Sequence, residues 1–466
     1  MSGDPCFLTI AEAGRLLKAG KISSVELTRA FLARIEAVDP LVHSYLLATP
    51  ETALAEARAA DAEIAAGRYR GPLHGIPYTV KDNIETAGIV TTGNSALLAH
   101  DVPKSDATSV ALLKKAGAVL LGKASLREMA LGIRHDTLPW PYPVNPWNRG
   151  YEFGGGSSTG SAAAVAACLA MGALGTDTGG SVRNPSGFCG LAGIKPTYGR
   201  ISRAGVIPNT LSLDSVGPMT WTVEDCALML QAVSGFDPLD PGSLKEPVPD
   251  FTIGLGKGIK GLRIGVLRYF YENDLPADDE IRMAFEAAVR KLTDLGARVE
   301  DVVLRPLAEY QAVKVILSNA EFYAVHEKDL RERPHLFGQK LAQRAVAGML
   351  VRAVDYIQAL RKRLHLARHM QEAFRGFDAM VTLTTLQQAP IDKPEQAGKA
   401  LQPANFTMPF SLSGFPAMSV PTGFDRNGLP LAMQIVGKAS DEAMVFRIGH
   451  AYEQATPWHK ERPKLP

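Results

Sequence analysis

Cysteine is scarce: Cys6, Cys168, Cys189 and Cys226 are all there is in 466 residues. They lack the paired spacing of a zinc site or a disulfide framework, so both are set aside, no metal or other cofactor is expected, and free thiols in a reducing compartment are. No stretch of ~18 or more apolar residues occurs, as a spanning helix needs. The opening MSGDPCFLTIAEAGRLLKAG has no basic segment followed by an apolar core, so the chain reads as cytoplasmic with no membrane partner. Charge of one sign is missing too. Lys and Arg total 50 against 48 acidic residues, which leaves no electrostatic footprint for nucleic acid. The expected partner is a small molecule, no nucleic acid, and the chain is expected to work as a monomer or homodimer.

What is present is an ordinary globular composition, 46% hydrophobic and 21% charged, enough to build a sizeable core. Thr9 with Glu12 and Ser23 with Glu26 match capping boxes, and Leu27, Phe31, Leu32 and Ile35 recur at helical spacing, so helices over the first 65 or so residues should pack on a later core. From Gly75, short apolar runs (Ile76 to Val80, Ala118 to Leu121) alternate with helical segments such as Ser109 to Ala116, closed by Gly117, which predicts an α/β sheet. LRIGVL at 262–267, an amphipathic helix near 279–295 and a charged helical region around 308–375 suggest that 260–375 is a mainly helical insertion or subdomain. Asn427-Gly428 between apolar runs is a hairpin signal. No repeat or obvious linker divides the chain, so residues 1–466 are read as one interleaved domain.

Residues 150–200 are crowded with Gly, Ser and Ala. A phosphate loop fits Gly155 to Ser161 only in outline, because Ser161 stands where its lysine belongs. A nucleophile elbow centred on Ser158 matches in letters, but the preceding NPWNRGYEFG is no buried strand. Packing glycines and turn serines would be the plain account of either segment alone.

Taken together the segments say more. HGIPYTVKDN at 74–83, GGGSSTGSAAAV at 154–165, GTDTGGSVRNP at 175–185 and GIKPTYGR at 193–200 closely resemble the amidase signature family, in the family's order and along most of the chain, least so over 240–375. The resemblance implies an α/β amidase signature fold: a large central mixed twisted sheet covered by helices on both sides. It also implies hydrolysis of a C–N bond in an amide, or a related carbamate, anilide or urea, through an acyl-enzyme, with ester cleavage as a side activity.

Amide hydrolysis needs an activated nucleophile, a proton donor for the leaving nitrogen and a site for oxyanion charge. His74 is the only histidine in these blocks, which leaves Lys81 as the suitable base. A free lysine has a pKa of about 10.4, and keeping it neutral at pH 7 costs roughly 4–5 kcal/mol unless its surroundings lower that value. Lys81 ends an apolar run, so burial is expected to do so. By resemblance, Ser181 is the nucleophile and Ser157 relays its proton to Lys81, following a cis peptide from Gly156. Backbone N–H groups of Thr178, Gly179, Gly180 and Ser181 would form the oxyanion hole, with Ser158, Asp177 and Arg183 in support. For Asp177 and Arg183 an exposed ion pair is the competing account.

Two departures bear on substrate choice. The chain reads Gly122-Lys123-Ala124-Ser125 where the family often has Gly-Lys-Thr-Asn, and Thr159 replaces a usual glycine. Tyr78, Met129, Leu131, Trp140 and Tyr142 in the 134–144 loop, and Leu211 are expected to line an apolar or aromatic acyl pocket. The rival function is the glutaminase subunit of a tRNA-dependent amidotransferase. Against it, residues 316–326 read ILSNAEFYAVH rather than the Asn-Leu-Ala-Arg-Phe-Asp-Gly block expected of that subunit.

Overall fold

Local chemistry opens the chain as its spacing predicts. In the computed structural model, which describes residues 4–131, 138, 140–151, 153, 155–386 and 405–466, both capping boxes form. Thr9 accepts from the Glu12 N–H at 3.1 Å while Glu12 accepts from the Thr9 N–H at 2.9 Å, starting α1 (Ile10–Lys18). Ser23 and Glu26 repeat the exchange for α2 (Ser24–Val42). These helices bury Ile10, Leu17, Leu27, Phe31 and Ile35 in the main core, and α2 packs on α3 (Pro50–Ala65). Asp225, far along the chain, accepts from the N–H groups of Ile10 and Ala11 at 3.0 and 2.9 Å, so the first turn of α1 is held by the body of the protein.

The strands are β1 (Tyr45–Ala48), β2 (Pro77–Lys81), β3 (Val119–Ala124), β4 (Gly172–Asp177), β5 (Ala192–Lys195), β6 (Ser215–Thr220), β7 (Arg263–Val266), β8 (Arg298–Asp301), β9 (Ala379–Leu383), β10 (Ala417–Phe424) and β11 (Pro430–Gly437). They form one 11-stranded mixed sheet in the order β1-β3-β2-β4-β6-β5-β10-β11-β9-β7-β8. β2 runs parallel to β3 and β4, and β7 to β8 and β9, while the remaining pairs are antiparallel. The Asp425 to Gly428 turn joins β10 to β11, with Gly428 at φ +74°.

Helices, α4 (Thr108–Lys115) among them, cover both faces, and β4 shows how. Ala173 packs with the alanines of α5 (Thr159–Ala166), whereas its neighbour Leu174 joins the cluster containing Met229 of α7 (Val223–Val233). Successive strand residues point to opposite faces, so α5 and α7 sandwich the sheet. The short helix α6 (Arg183–Phe188) contacts α5, β5, β10 and β11. Residues 260–375 supply β7 and β8 at the sheet's edge, joined through α8 (Asp279–Asp294), and then α9 (Leu307–Glu332), α10 (Gln339–Val346) and α11 (Ala353–Ala373). Among the described residues no helix is long and apolar enough to cross a membrane.

Candidate active site

Lys81 is the last residue of β2, and Thr176 stands near the end of the neighbouring parallel strand β4, with Val80 opposite Leu174. The carboxyl ends of parallel strands leave a crevice where ligands commonly bind. The Lys81 side chain is wholly buried, its amine 2.7 Å from Ser157 Oγ and 2.7 Å from Thr176 Oγ1. Burial pushes its pKa down to about 7, against the pull of the Asp177 and Asp214 carboxylates, which favour the charged form.

Ser157 follows a cis peptide from Gly156 and precedes α5. Its carbonyl accepts from the Arg127 N–H at 3.1 Å. Next to it, the Ser158 N–H donates to the carbonyl of Ser181 at 3.2 Å, and Ser158 Oγ donates to the carbonyl of Thr176 at 3.2 Å. The two serine segments and the end of β4 are thereby tied into one unit. Ser181 itself lines a cavity of about 470 Å³, while Ser157 and Lys81 lie buried behind it.

The turn from Thr178 to Ser181 is built around Asp177. This carboxylate accepts from the N–H groups of Gly180 (2.6 Å) and Val182 (3.2 Å) and from two nitrogens of the Arg183 guanidinium at 3.0 Å. Burial alone would raise its pKa, but Arg183, then Lys195 and the Gly180 N–H, outweigh it and hold it at about 2. Both side chains of the pair are fully buried, so the pair is not a surface ion pair. Arg183 also donates to the Thr407 carbonyl (2.8 Å), Gln434 Oε1 (3.1 Å) and Ser411 Oγ (2.8 Å), fastening the turn to the C-terminal part of the chain.

One expectation about the turn is corrected. The Gly180 N–H is spent on Asp177 and does not face the cavity, so it drops out of the expected set of oxyanion donors. Thr178, Gly179 and Ser181 line the cavity, and among the described residues the N–H groups of Gly179 and Ser181 have no acceptor. Gly180 has a different role: at φ +128° it sits where a Cβ would come 2.2 Å from Thr407 Oγ1.

The expected acyl pocket is also corrected. Of its residues only Leu131 lines the cavity. Tyr78 lies three residues before Lys81 on the same strand, hence on the opposite face, and is buried in the main core. Met129 is buried in a small cluster with Phe322 and Phe337, and Leu211 is 54% exposed on its loop. Trp140 and Tyr142 are not among the described lining residues, and 134–137 and 139 of their loop fall outside the described residues. The wall is instead mixed, with Arg127, Asn184, Asn209, Gln311, Lys314 and Arg344 set among apolar residues such as Phe188, Leu275, Phe406 and Met408.

Sequence reasoning missed Thr176, Asp214, Thr407 and Lys314. Thr407 Oγ1 donates to the Gly179 carbonyl at 2.8 Å. Asp214 accepts from the Thr178 hydroxyl at 2.5 Å and from the N–H groups of Asn209 and Thr210, while burial raises its pKa to about 6. Thr176 had a usable signal, since it directly precedes Asp177 inside a matched block; the other three reach the site only through the tertiary fold. Among the described residues no cluster of three or more His, Cys, Asp or Glu could hold a metal.

The model of the Amidase family matches residues 26–446. A glutamyl-tRNA(Gln) amidotransferase subunit from Geobacter metallireducens is 41% identical over 98% of this chain and 98% of its own length. A solved chain from a vestigial protein complex that reveals the origins of an s-triazine catabolic enzyme superposes with a TM-score of 0.89 at 32% identity, covering 96% of this chain and 98% of that one. The peptide amidase of Stenotrophomonas maltophilia does so at 0.85 and 33%, covering 98% of each. These relatives overturn the partner expectation of a small molecule, no nucleic acid and a monomer or homodimer. Full-length relatives at this identity are named as one subunit of an enzyme acting on a charged tRNA. Net charge reports direct phosphate contact; it is blind to a hydrolytic subunit serving a nucleic-acid reaction from within an assembly.

Proposed function

Because this chain belongs to the amidase family, hydrolases acting on carbon–nitrogen bonds, we propose that it hydrolyses a carboxamide with Ser181 as nucleophile, Ser157 as proton bridge and Lys81 as base, as the amide-hydrolysing subunit of a tRNA-dependent amidotransferase that uses glutamine. The observation that carries the chemistry is the 2.7 Å approach of the buried Lys81 amine to Ser157 Oγ, with the amine's pKa brought to about 7. A base poised near working pH is what general-base catalysis needs.

Neutral Lys81 takes the Ser157 proton as Ser157 takes that of Ser181, and Ser181 Oγ bonds to the carbonyl carbon. The N–H groups of Gly179 and Ser181, with Thr178 beside them, receive the oxyanion charge. The proton returns through Ser157 to the leaving nitrogen, the C–N bond breaks and ammonia departs. Water then attacks the acyl-enzyme by the reverse route, giving the carboxylate and free Ser181. Asp177 and Arg183 hold the turn in place throughout.

The subunit reading is favoured by relatives alike along their whole length. A second reading, an amidase working on another amide, is favoured by ILSNAEFYAVH at 316–326, a departure carried by α9, whose Gln311, Lys314, Val315 and Asn319 line the cavity. Ammonia release from glutamine and conversion of glutamyl-tRNA(Gln) are measured for the purified chain alone and with the remaining subunits of such an amidotransferase. Glutamine turnover that appears with those subunits upholds the first reading. Turnover of other carboxamides with none of glutamine upholds the second, and persistence of turnover in Ser181→Ala overturns the mechanism for both.

A further inference from the structure

The geometry points to Lys314 as the anchor of an anionic group on the substrate, an amide whose acyl part carries a carboxylate a few bonds from the scissile carbonyl. The inference rests on the hydrolytic reading of the Ser181 cavity and deepens it by assigning the side chain that selects for such a carboxylate. Lys314 projects from α9 into that cavity, and its Cε lies 3.7 Å from where a Cβ on Gly179 would stand. The amine therefore hangs over the turn that carries Gly179 and Ser181, on the wall facing the nucleophile.

The charge around it is one-sided. Arg127, Lys314 and Arg344 line the cavity, and no Asp or Glu is among its described lining residues. Among the described residues neither Lys314 nor Arg344 enters an ion pair. Arg344 donates to the Leu131 carbonyl at 3.0 Å. The carboxylate that acts on Lys314 from behind the turn is Asp214, already committed to Thr178, Asn209 and Thr210. Burial, then repulsion from Arg344, pushes the Lys314 pKa down to about 8, while Asp214 pulls it up. Two half-buried cations facing one cavity disfavour each other, and a bound carboxylate relieves that cost for both through charge-assisted hydrogen bonds. A neutral, apolar acyl group would leave it unrelieved.

Calorimetric titration of the full-length Ser181→Ala chain with glutaramate and with its neutral isostere glutaramide reads the site without turnover. Glutaramate is expected to bind about tenfold or more tighter. Adding Lys314→Met brings the ratio of the two affinities close to one, and Lys314→Arg keeps part of it. A merely structural lysine would weaken both ligands alike and leave the ratio unmoved. The proposal is overturned if the ratio starts near one, if Lys314→Met does not change it, or if neither ligand binds. Intact binding selectivity with no hydrolysis by the unsubstituted chain, either alone or with the remaining subunits of such an amidotransferase, would instead count against the hydrolytic reading alone.

Discussion

Lys81 and Lys123 stand one register step apart on adjacent parallel strands, Lys123 opposite Val80 and Lys81 opposite Ala124. Both side chains are wholly buried, and burial pushes both pKa values down, Lys81 to about 7 and Lys123 to about 8. Their surroundings differ. Lys123 lies 3.6 Å from the Asp82 carboxylate and donates to the Ile84 carbonyl and the hydroxyls of Thr86 (3.2 Å) and Thr91 (2.9 Å). A buried carboxylate beside the amine is the environment of a structural cation. Lys81 donates to two hydroxyls and, at 3.4 Å, to the Thr176 carbonyl, and among the described residues it has no ion-pair partner. Depth of burial thus does not make a base; the set of partners at that depth does.

The sharpest way to break the comparison is to exchange each lysine for methionine. Lys81→Met should lower kcat/KM for a carboxamide by about a thousandfold or more while the chain stays folded, read by steady-state ammonia release and circular dichroism. Lys123→Met should act on stability, by about 3–5 kcal/mol in denaturant unfolding, because Asp82 is left buried without its cation. Adding Asp82→Asn should recover part of that loss.

A smaller effect is the pH profile. A neutral Lys81 is required, so kcat/KM should rise about tenfold per pH unit below an apparent pKa near 7 and level off above it. The same group affects stability with a definite sign. Its folded pKa lies below the unfolded value, so between about 7 and 10.5 the unfolded chain binds more protons, and this contribution makes stability rise with pH across that window. Lys81→Met should remove it, as seen in unfolding curves at several pH values. Smallest of all, Thr176→Val removes one hydroxyl from the Lys81 amine. It should lower activity at pH 8 by about tenfold and shift the acid limb to lower pH, since the charged amine loses an acceptor.

Much of the fold was legible where cause and effect are close in sequence. The capping boxes at Thr9 and Ser23, the strand ending at Lys81 and the Asn427-Gly428 turn depend on contacts within a few residues. The candidate triad was legible only because several separated blocks matched one family together. Tyr78 could have been excluded by strand alternation, which places it on the face away from Lys81. The cations and amides of the cavity wall could not be read, because Lys314, Arg344 and Asn209 come from segments brought together by helix packing and loop return.

By itself the amino-acid order determined which short segments are helices, strands and turns, and which family's motifs they carry, since those follow from neighbouring side chains and backbone preferences. Only the tertiary structure decided that two lysines on adjacent strands meet different partners, that the Gly180 N–H turns to Asp177, and that cations face Ser181 across the cavity. Such outcomes depend on distances between residues far apart in the chain, and on desolvation that exists only once the sheet and its covering helices have closed around them.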